Sequence, residues 1–218
     1  AAEAGNHLFI LTTYGTLPKK GNKWDPDEFF HRGELEIEAN FYHSDKIKKV
    51  VARKRSLDFG CGVGRLTLAL ASRFEESHGV DISEGMIEGA NNFKKSRNIP
   101  NAHYHLNRKD NLELFQDDHF DYIISLIVLQ HMEPRYFTKY IEEFVRILKP
   151  NGLAVFQLPV TAEDRAHYEE FQEGTEPMME IFGMEKEEVI ALIEAKGGKI
   201  VKVTDDQSFG EESHKLLK

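Results

Sequence analysis

One cysteine, Cys61, stands in 218 residues. No disulfide can form within the chain, and a reducing compartment, the cytoplasm, is expected. No apolar run approaches the roughly 18 residues that a membrane-spanning helix needs, so no membrane contact is expected. Positive charge is in deficit: 28 Lys and Arg against 37 Asp and Glu leave a net charge of −9. Non-specific nucleic-acid binding rests on Lys and Arg at phosphates, so a nucleic-acid partner is not expected. The one basic run, Lys46, Lys48, Lys49, Arg53, Lys54 and Arg55, reads as a solvated helix face, with a docking surface for an acidic partner as the alternative. No His/Cys cluster has zinc-ligand spacing, so no metal is expected. Nor is there a Ser-His-Asp arrangement, an internal repeat or a low-complexity segment. The chain opens on Ala1 rather than Met, and residues 1–5 have no signal-peptide character.

What is present is concentrated in Ser56-Leu57-Asp58-Phe59-Gly60-Cys61-Gly62-Val63-Gly64-Arg65. This stretch predicts a buried strand that ends in a glycine-rich turn and opens a helix. Gly60, Gly62 and Gly64 permit a sharp turn and a close approach of backbone to a ligand. The helix start behind them offers N–H groups and a positive dipole end. Asp81 follows Gly64 by 17 residues, at the end of a second short strand. An acid at about that distance from such a turn is placed to accept hydrogen bonds from a ribose diol. A nucleoside-containing cofactor is therefore expected.

The spacing narrows the choice. A dinucleotide fingerprint is G-x-G-x-x-G, but here the third glycine comes one residue early and Arg65 takes its place. No Gly-Lys-Ser/Thr follows, which excludes a P-loop. Asp58 lies two residues before the first glycine; a carboxylate there repels a pyrophosphate and pairs with an ammonium group. At this point the chain resembles the class I S-adenosylmethionine-dependent methyltransferases of the small-molecule type. Residues 57–64 are similar to their first motif and residues 79–87 to their second. Residues 120–125 through 129–132 are similar to the strand and exit near the substrate. Leu148-Lys149-Pro150-Asn151-Gly152 is similar to the turn before the fifth strand, with Asn151 where a second glycine is usual.

Strands are expected near 55–59, 77–81, 103–107, 121–127, 153–158 and 200–205, and helices near 64–74, 84–96, 134–148 and 185–196. That alternation predicts a parallel α/β sheet. The resemblance implies a Rossmann-like doubly wound sheet of the seven-strand methyltransferase type, mostly parallel, with helices on both faces. Its antiparallel last strand is not convincingly supplied by the short, polar residues 211–218. Residues 1–24 read as irregular, with Leu8 to Leu11 a short apolar run. Asp25-Pro26-Asp27-Glu28 starts a helix, or a helix pair, that carries Phe29, Phe30, Ile37, Phe41 and Tyr42. By resemblance, residues 1–45 cover the cofactor pocket and residues 46–218 form the S-adenosylmethionine-binding domain. Phe29, Phe30 and Arg32 read as aromatic packing on the sheet, with ligand contact as the alternative. An insertion at 159–184, rich in Glu, Met and aromatics (His167, Tyr168, Phe171, Met178, Met179, Phe182, Met184), either walls the acceptor site or closes over the core.

The resemblance implies roles for particular residues. Gly60, Cys61 and Gly62 contact the methionine moiety through backbone atoms. Asp58 binds the ammonium group or, alternatively, caps the following turn. Asp81 takes both ribose hydroxyls. Ile82 and Met86 flank the adenine, with an ordinary core position as the other reading of Met86. Asn107 accepts from the adenine amino group, with Asp110 as the alternative, and Arg108 adds its backbone N–H. Leu126 joins them from the exit of the fourth strand. His131, just beyond, is either a general base or a histidine bonded to nearby backbone. Gln130 and Glu133 are weaker candidates, Asp121 lies at the wrong end of its strand, and His103 and His105 read as surface or edge residues. The implied reaction is methyl transfer from S-adenosyl-L-methionine to a small-molecule acceptor, leaving S-adenosyl-L-homocysteine. The rivals are a non-catalytic binder of the same ligand and a nucleotide-dependent oxidoreductase.

Overall fold

Short β-branched and aromatic runs bounded by turn residues pair into one parallel sheet. The structure, a computed structural model, describes residues 7–12, 25–41, 51–160 and 181–204. Its strands are β1 (His7–Thr12), β2 (Arg55–Phe59), β3 (Glu76–Asp81), β4 (Ala102–Leu106), β5 (Phe120–Ser125), β6 (Leu148–Gln157) and β7 (Gly198–Thr204). The helices are α1 (Pro26–Phe41), α2 (Arg65–Ala71), α3 (Glu84–Ser96), α4 (Pro134–Ile147) and α5 (Lys186–Ala195), with a 3₁₀ turn at Leu129–His131. The central strands run β4-β3-β2-β5-β6, and β1 and β7 continue the sheet beyond β6. Every pairing among the described residues is parallel.

Two expectations are corrected here. Part of the N-terminal segment read as irregular is the strand β1, held between β6 and β7 and parallel to both. The sheet thus departs from the seven-strand pattern with an antiparallel last strand: the strand next to β6 comes from the N-terminus, and residues 211–218 lie outside the described residues. Strand β6 also starts earlier than expected. Phe120 pairs with Leu148 and Tyr122 with Leu153, a register shift that absorbs Pro150, Asn151 and Gly152. Asn151 takes a φ of 65° there, a left-handed conformation that Asn tolerates.

Both faces of the sheet are buried, as parallel sheets require. One face packs Leu57, Phe59, Phe120, Ile123 and Phe156 under Phe137, Ile141 and Phe144 of α4. The other packs Tyr122, Ile124, Leu153 and Val155 under Leu66 and Leu70 of α2. The two sets alternate along β5, the period-two pattern of a strand. Helix α1 starts where Asp25 accepts the Asp27 and Glu28 amides at 2.9 and 3.1 Å, a side-chain cap. The expected aromatic packing occurs against helices more than the sheet. Phe30 meets Phe93 of α3 edge-on at 4.8 Å, and the Arg97 guanidinium covers its ring at 4.3 Å. Arg32 pairs with Glu28 one turn away at 3.0 Å. Tyr42, Lys46, Lys48, Lys49 and most of the 159–184 insertion, including His167, Tyr168, Phe171, Met178 and Met179, lie outside the described residues.

The chain leaves β2 toward β3 and β4 on one side, then returns to place β5 and β6 on the other. That reversal opens a crevice at the carboxyl ends of β2 and β5, where open α/β sheets hold ligands.

Candidate functional site

The loop after β2 is built by backbone. The amides of Gly60 and Cys61 both donate to the Val80 carbonyl, at 2.8 and 3.0 Å. Gly60 (φ 75°) lies so close to the exit of β5 that a Cβ would fall 2.3 Å from Val128 Cγ2. Gly62 (φ 52°) has nothing within 4 Å of such an atom, so this turn of backbone faces open space where a ligand can approach. Cys61 is buried, and desolvation, with Asp58 and Asp81 adding to it, pushes its thiol well above the ordinary range. Its thiol is therefore no nucleophile, in keeping with a backbone role.

Asp81, at the end of β3, accepts the Gly62 amide on Oδ2 and the Ser83 amide on Oδ1, each at 2.8 Å. It is partly exposed and stands at the mouth of the crevice. Beyond it three large apolar side chains are exposed: Ile82 at 71%, Met86 at 46% and Leu106 at 39%. The core reading of Met86 is corrected by this exposure. Apolar surface beside a carboxylate that faces a glycine turn suits a nucleoside: a flat base on the apolar rim and a diol at the acid.

Asn107 sits directly beyond β4, its amide donating to the Asp81 carbonyl at 2.9 Å. Its side chain is engaged within its own loop, giving to the Asn111 carbonyl at 2.7 Å and accepting the Lys109 amide at 3.2 Å. Arg108 pairs with Glu84 across the rim at 2.9 Å. Asp110 is drawn away by Lys139 of α4 at 2.6 Å. An open pocket of about 490 Å³ lies here, lined by Leu106, Asn107, Arg108, Lys109, Glu113 and Leu114. It adjoins the apolar rim at Leu106 rather than the glycine turn.

Asp58 is 2% exposed. Its carboxylate accepts the Thr67 hydroxyl at 2.7 Å. Burial pushes its pKa up to about 6, while the Thr67 hydrogen bond and the Arg65 guanidinium oppose the rise. Arg65 in turn pairs with the buried Glu36 of α1. Its partners are the hydroxyl and backbone of Thr67, within α2 just after the turn, which is the side of the capping alternative.

The exit of β5 supplies the opposite wall. Leu126 is buried at 9% exposure. Ile127 takes a φ of 60°, strained for a β-branched residue, and its amide is held by the Gln157 side chain at 3.0 Å. His131 ends the 3₁₀ turn, half-buried, with its Nδ1 turned inward. Of the weaker candidates, Gln130 is only 2% exposed, and its backbone carbonyl accepts the Phe182 amide at 2.7 Å. Glu133 is exposed and pairs with Arg135 at 3.0 Å. Asp121 lies at the opposite end of the sheet, between the Arg55 amide and Lys149, as expected. His103 and His105 are on the edge strand, as expected, and half-buried: His105 stacks on His78 and His103 lies tilted to it.

Sequence reasoning missed Thr67, Tyr104, Val128 and Gln157. Thr67 carried one usable signal, a polar residue in the otherwise apolar Leu66-Thr67-Leu68-Ala69-Leu70.

Residues 57–152 match a family described as a methyltransferase domain. The chain is 32% identical over 101 residues to an uncharacterized methyltransferase, YcgJ, of Bacillus subtilis, covering 46% of this chain and 39% of that protein. It is 30% identical over 141 residues to the ubiquinone biosynthesis O-methyltransferase of Rickettsia typhi, covering 62% and 54%. The chain thus spans about half or less of the curated relatives it matches. The crystal structure of the PH0226 protein of Pyrococcus horikoshii superposes with a TM-score of 0.59 at 26% identity, covering 76% of this chain and 81% of that one. Among the described residues no helix is long and apolar enough to cross a membrane, and no group of His, Cys, Asp and Glu is arranged to hold a metal ion.

Proposed function

We propose that this chain, whose residues 57–152 are a Rossmann-like methyltransferase domain, binds S-adenosyl-L-methionine in the crevice between β2 and β5 and methylates a small-molecule acceptor. The observation that carries the reading is the Asp81 carboxylate, held by the Gly62 and Ser83 amides at the open mouth of the glycine turn. When bound, the ligand supplies a methyl group on a sulfonium, which needs in-line approach of an acceptor.

The residues divide the work. Asp81 accepts the ribose hydroxyls. Ile82, Met86 and Leu106 cover the adenine, and Asn107 and Arg108 close its edge. Gly60, Cys61 and Gly62 follow the methionine backbone, and Asp58 answers its ammonium group. Leu126 closes the crevice from the β5 side. His131, on the turn beyond, receives the acceptor's proton where the acceptor is a hydroxyl or an amine. The Rickettsia typhi relative is named for ubiquinone biosynthesis, which supports a small molecule as acceptor class. The negative net charge supports the same choice over nucleic acid.

Calorimetric titration of the full chain with S-adenosylmethionine and, separately, with NADH tests the cofactor. Saturable binding of the first alone is expected, and binding of NADH alone would overturn the reading. Release of S-adenosylhomocysteine in the presence of a phenol, catechol or carboxylate panel then tests turnover.

A further inference from the structure

Thr67 lies under the glycine turn rather than in it. It belongs to the first turn of α2 and is fully buried. Its hydroxyl donates to Asp58 Oδ2 at 2.7 Å, and its backbone supports the same carboxyl. The surroundings leave this hydroxyl little room. A Cβ on Gly79 of β3 would meet Thr67 Oγ1 at 2.8 Å and Cys61 Sγ at 2.9 Å. Ser77 of β3 also donates to the Thr67 carbonyl at 2.9 Å. Two residues of β3, Ser77 and Gly79, therefore fix Thr67, and Thr67 fixes the acid.

The ionisable and charged groups around Asp58 come from each element packed on it. Arg65 of α2 lowers its pKa and Glu36 of α1 raises it. Cys61 of the turn, Tyr104 of β4 and Tyr122 of β5 all feel its charge. Burial pushes each of these three above its ordinary range, so all three are neutral at pH 7. Arg65 is already paired with Glu36. Thr67 is thus the neutral donor that holds the buried carboxylate in its ionised form.

We propose that Thr67 is a positioning residue, which orients Asp58 and keeps it ionised so that it can receive the ammonium group of S-adenosylmethionine. This rests on the function proposed above. Thr67 touches no ligand and acts only through Asp58. A buried carboxylate stays charged when hydrogen bonds favour that form, and an uncharged Asp58 has nothing to offer a cation.

The test is the pH dependence of ligand affinity, measured by calorimetry between pH 5 and 8 on the full chain. S-adenosylmethionine is compared with 5′-methylthioadenosine, which lacks the amino-acid end. In the wild type, affinity for S-adenosylmethionine falls as pH drops through the Asp58 titration, and affinity for methylthioadenosine does not. Thr67→Val moves that acid limb upward by about half a unit to one unit. Thr67→Ser, which keeps the hydroxyl, leaves the limb in place. Methylthioadenosine binding is the same in all three. An unmoved limb in Thr67→Val overturns the positioning role while the site reading stands, and so does a shifted limb in Thr67→Ser. A wild type that binds neither ligand overturns the site reading and this inference with it. Where Thr67→Val does not fold, Thr67→Ala is read by the same criteria.

Discussion

The Gly62 amide donates to Asp81 Oδ2 at 2.8 Å, tying the turn after β2 to the end of β3. The other oxygen, Oδ1, holds the Ser83 amide at 2.8 Å at the entry to α3. Each oxygen keeps lone pairs for a second donor, so the acid can hold the two motifs together and take a diol at once. Asp81→Ala is expected to weaken S-adenosylmethionine by about 1–3 kcal/mol, seen by calorimetry. Asp81→Asn is expected to fare no better: its amide nitrogen would face a backbone N–H, donor against donor. Affinity equal to wild type in either variant would refute the role.

Asp58 sets function against stability. Its carboxyl titrates near 6 in the fold against 3.8 unexposed to it, so the native state binds the proton more tightly. Stability is then full below the unfolded value and is lost as pH rises from about 4 through 6. At pH 7 the ionised, buried group costs on the order of 1–3 kcal/mol. Asp58→Asn keeps an acceptor for Thr67 and removes that cost. It is expected to unfold at higher urea at pH 7 than wild type while binding S-adenosylmethionine more weakly. A urea midpoint at or below wild type would show that burial does not burden this carboxyl.

The sequence made the central crevice legible because its parts are local. The Gly60–Gly64 spacing, the acid at Asp81 and the Asp25-Pro26 cap each declare themselves within a few residues, and the structure places all of them as elements begin or end. Strand β1 stayed hidden because residues 7–12 are short and stand among sequence that gives no alternation. Its partners, β6 and β7, lie more than a hundred residues on. Thr67, Tyr104 and Gln157 stayed hidden because their roles are contacts between elements. A polar residue in an apolar helix says only that some partner exists, and the partner here lies on another strand. The edge position of His103 and His105 was legible, but their partial cover was not, because it comes from His78 and Phe115 of other elements.

That histidine cluster is expected to make the protein acid-sensitive. His78 Nδ1 and His105 Nε2 are 3.0 Å apart, with rings stacked at 9°; His103 and His119 lie at 5.1 and 6.1 Å from the His78 ring. Burial, then the charges of His105 and His103, pushes His78 down to about 4, against which Glu76 pulls upward. His105 and His119 are lowered too, first by burial. These imidazoles are neutral in the fold, so the unfolded chain takes up protons first. Stability is constant above about pH 6.5 and falls as pH drops toward 4, by roughly 1–3 kcal/mol for His78 alone. Thermal melts from pH 7 to 4.5 on Asp58→Asn, which lacks the opposing gain of the buried carboxyl, should show this decline. His78→Phe, packed against Phe115 and Phe120, should flatten it, whereas an unchanged slope would clear His78 of responsibility.

Gln157 and Ile127 give the last prediction. Ile127 stands at φ 60°, a conformation that costs a β-branched residue on the order of 1–3 kcal/mol, and its amide is satisfied by Gln157 Oε1 at 3.0 Å. Gln157 is 1% exposed, at the carboxyl end of β6, so water cannot readily replace it. Gln157→Leu is close to it in volume and removes the acceptor with the rest of the side-chain amide. The Ile127 amide is then left unpaired, and the strained exit of β5 relaxes toward a commoner conformation, moving the Leu129–His131 turn. The fold is expected to lose about 1–3 kcal/mol, read by urea unfolding. Gly60 abuts Val128 at this exit but Asp81 stands away from it, so S-adenosylmethionine affinity should fall less than turnover. A variant that loses cofactor affinity and turnover in the same proportion would place Gln157 in support of the cofactor instead of the acceptor side.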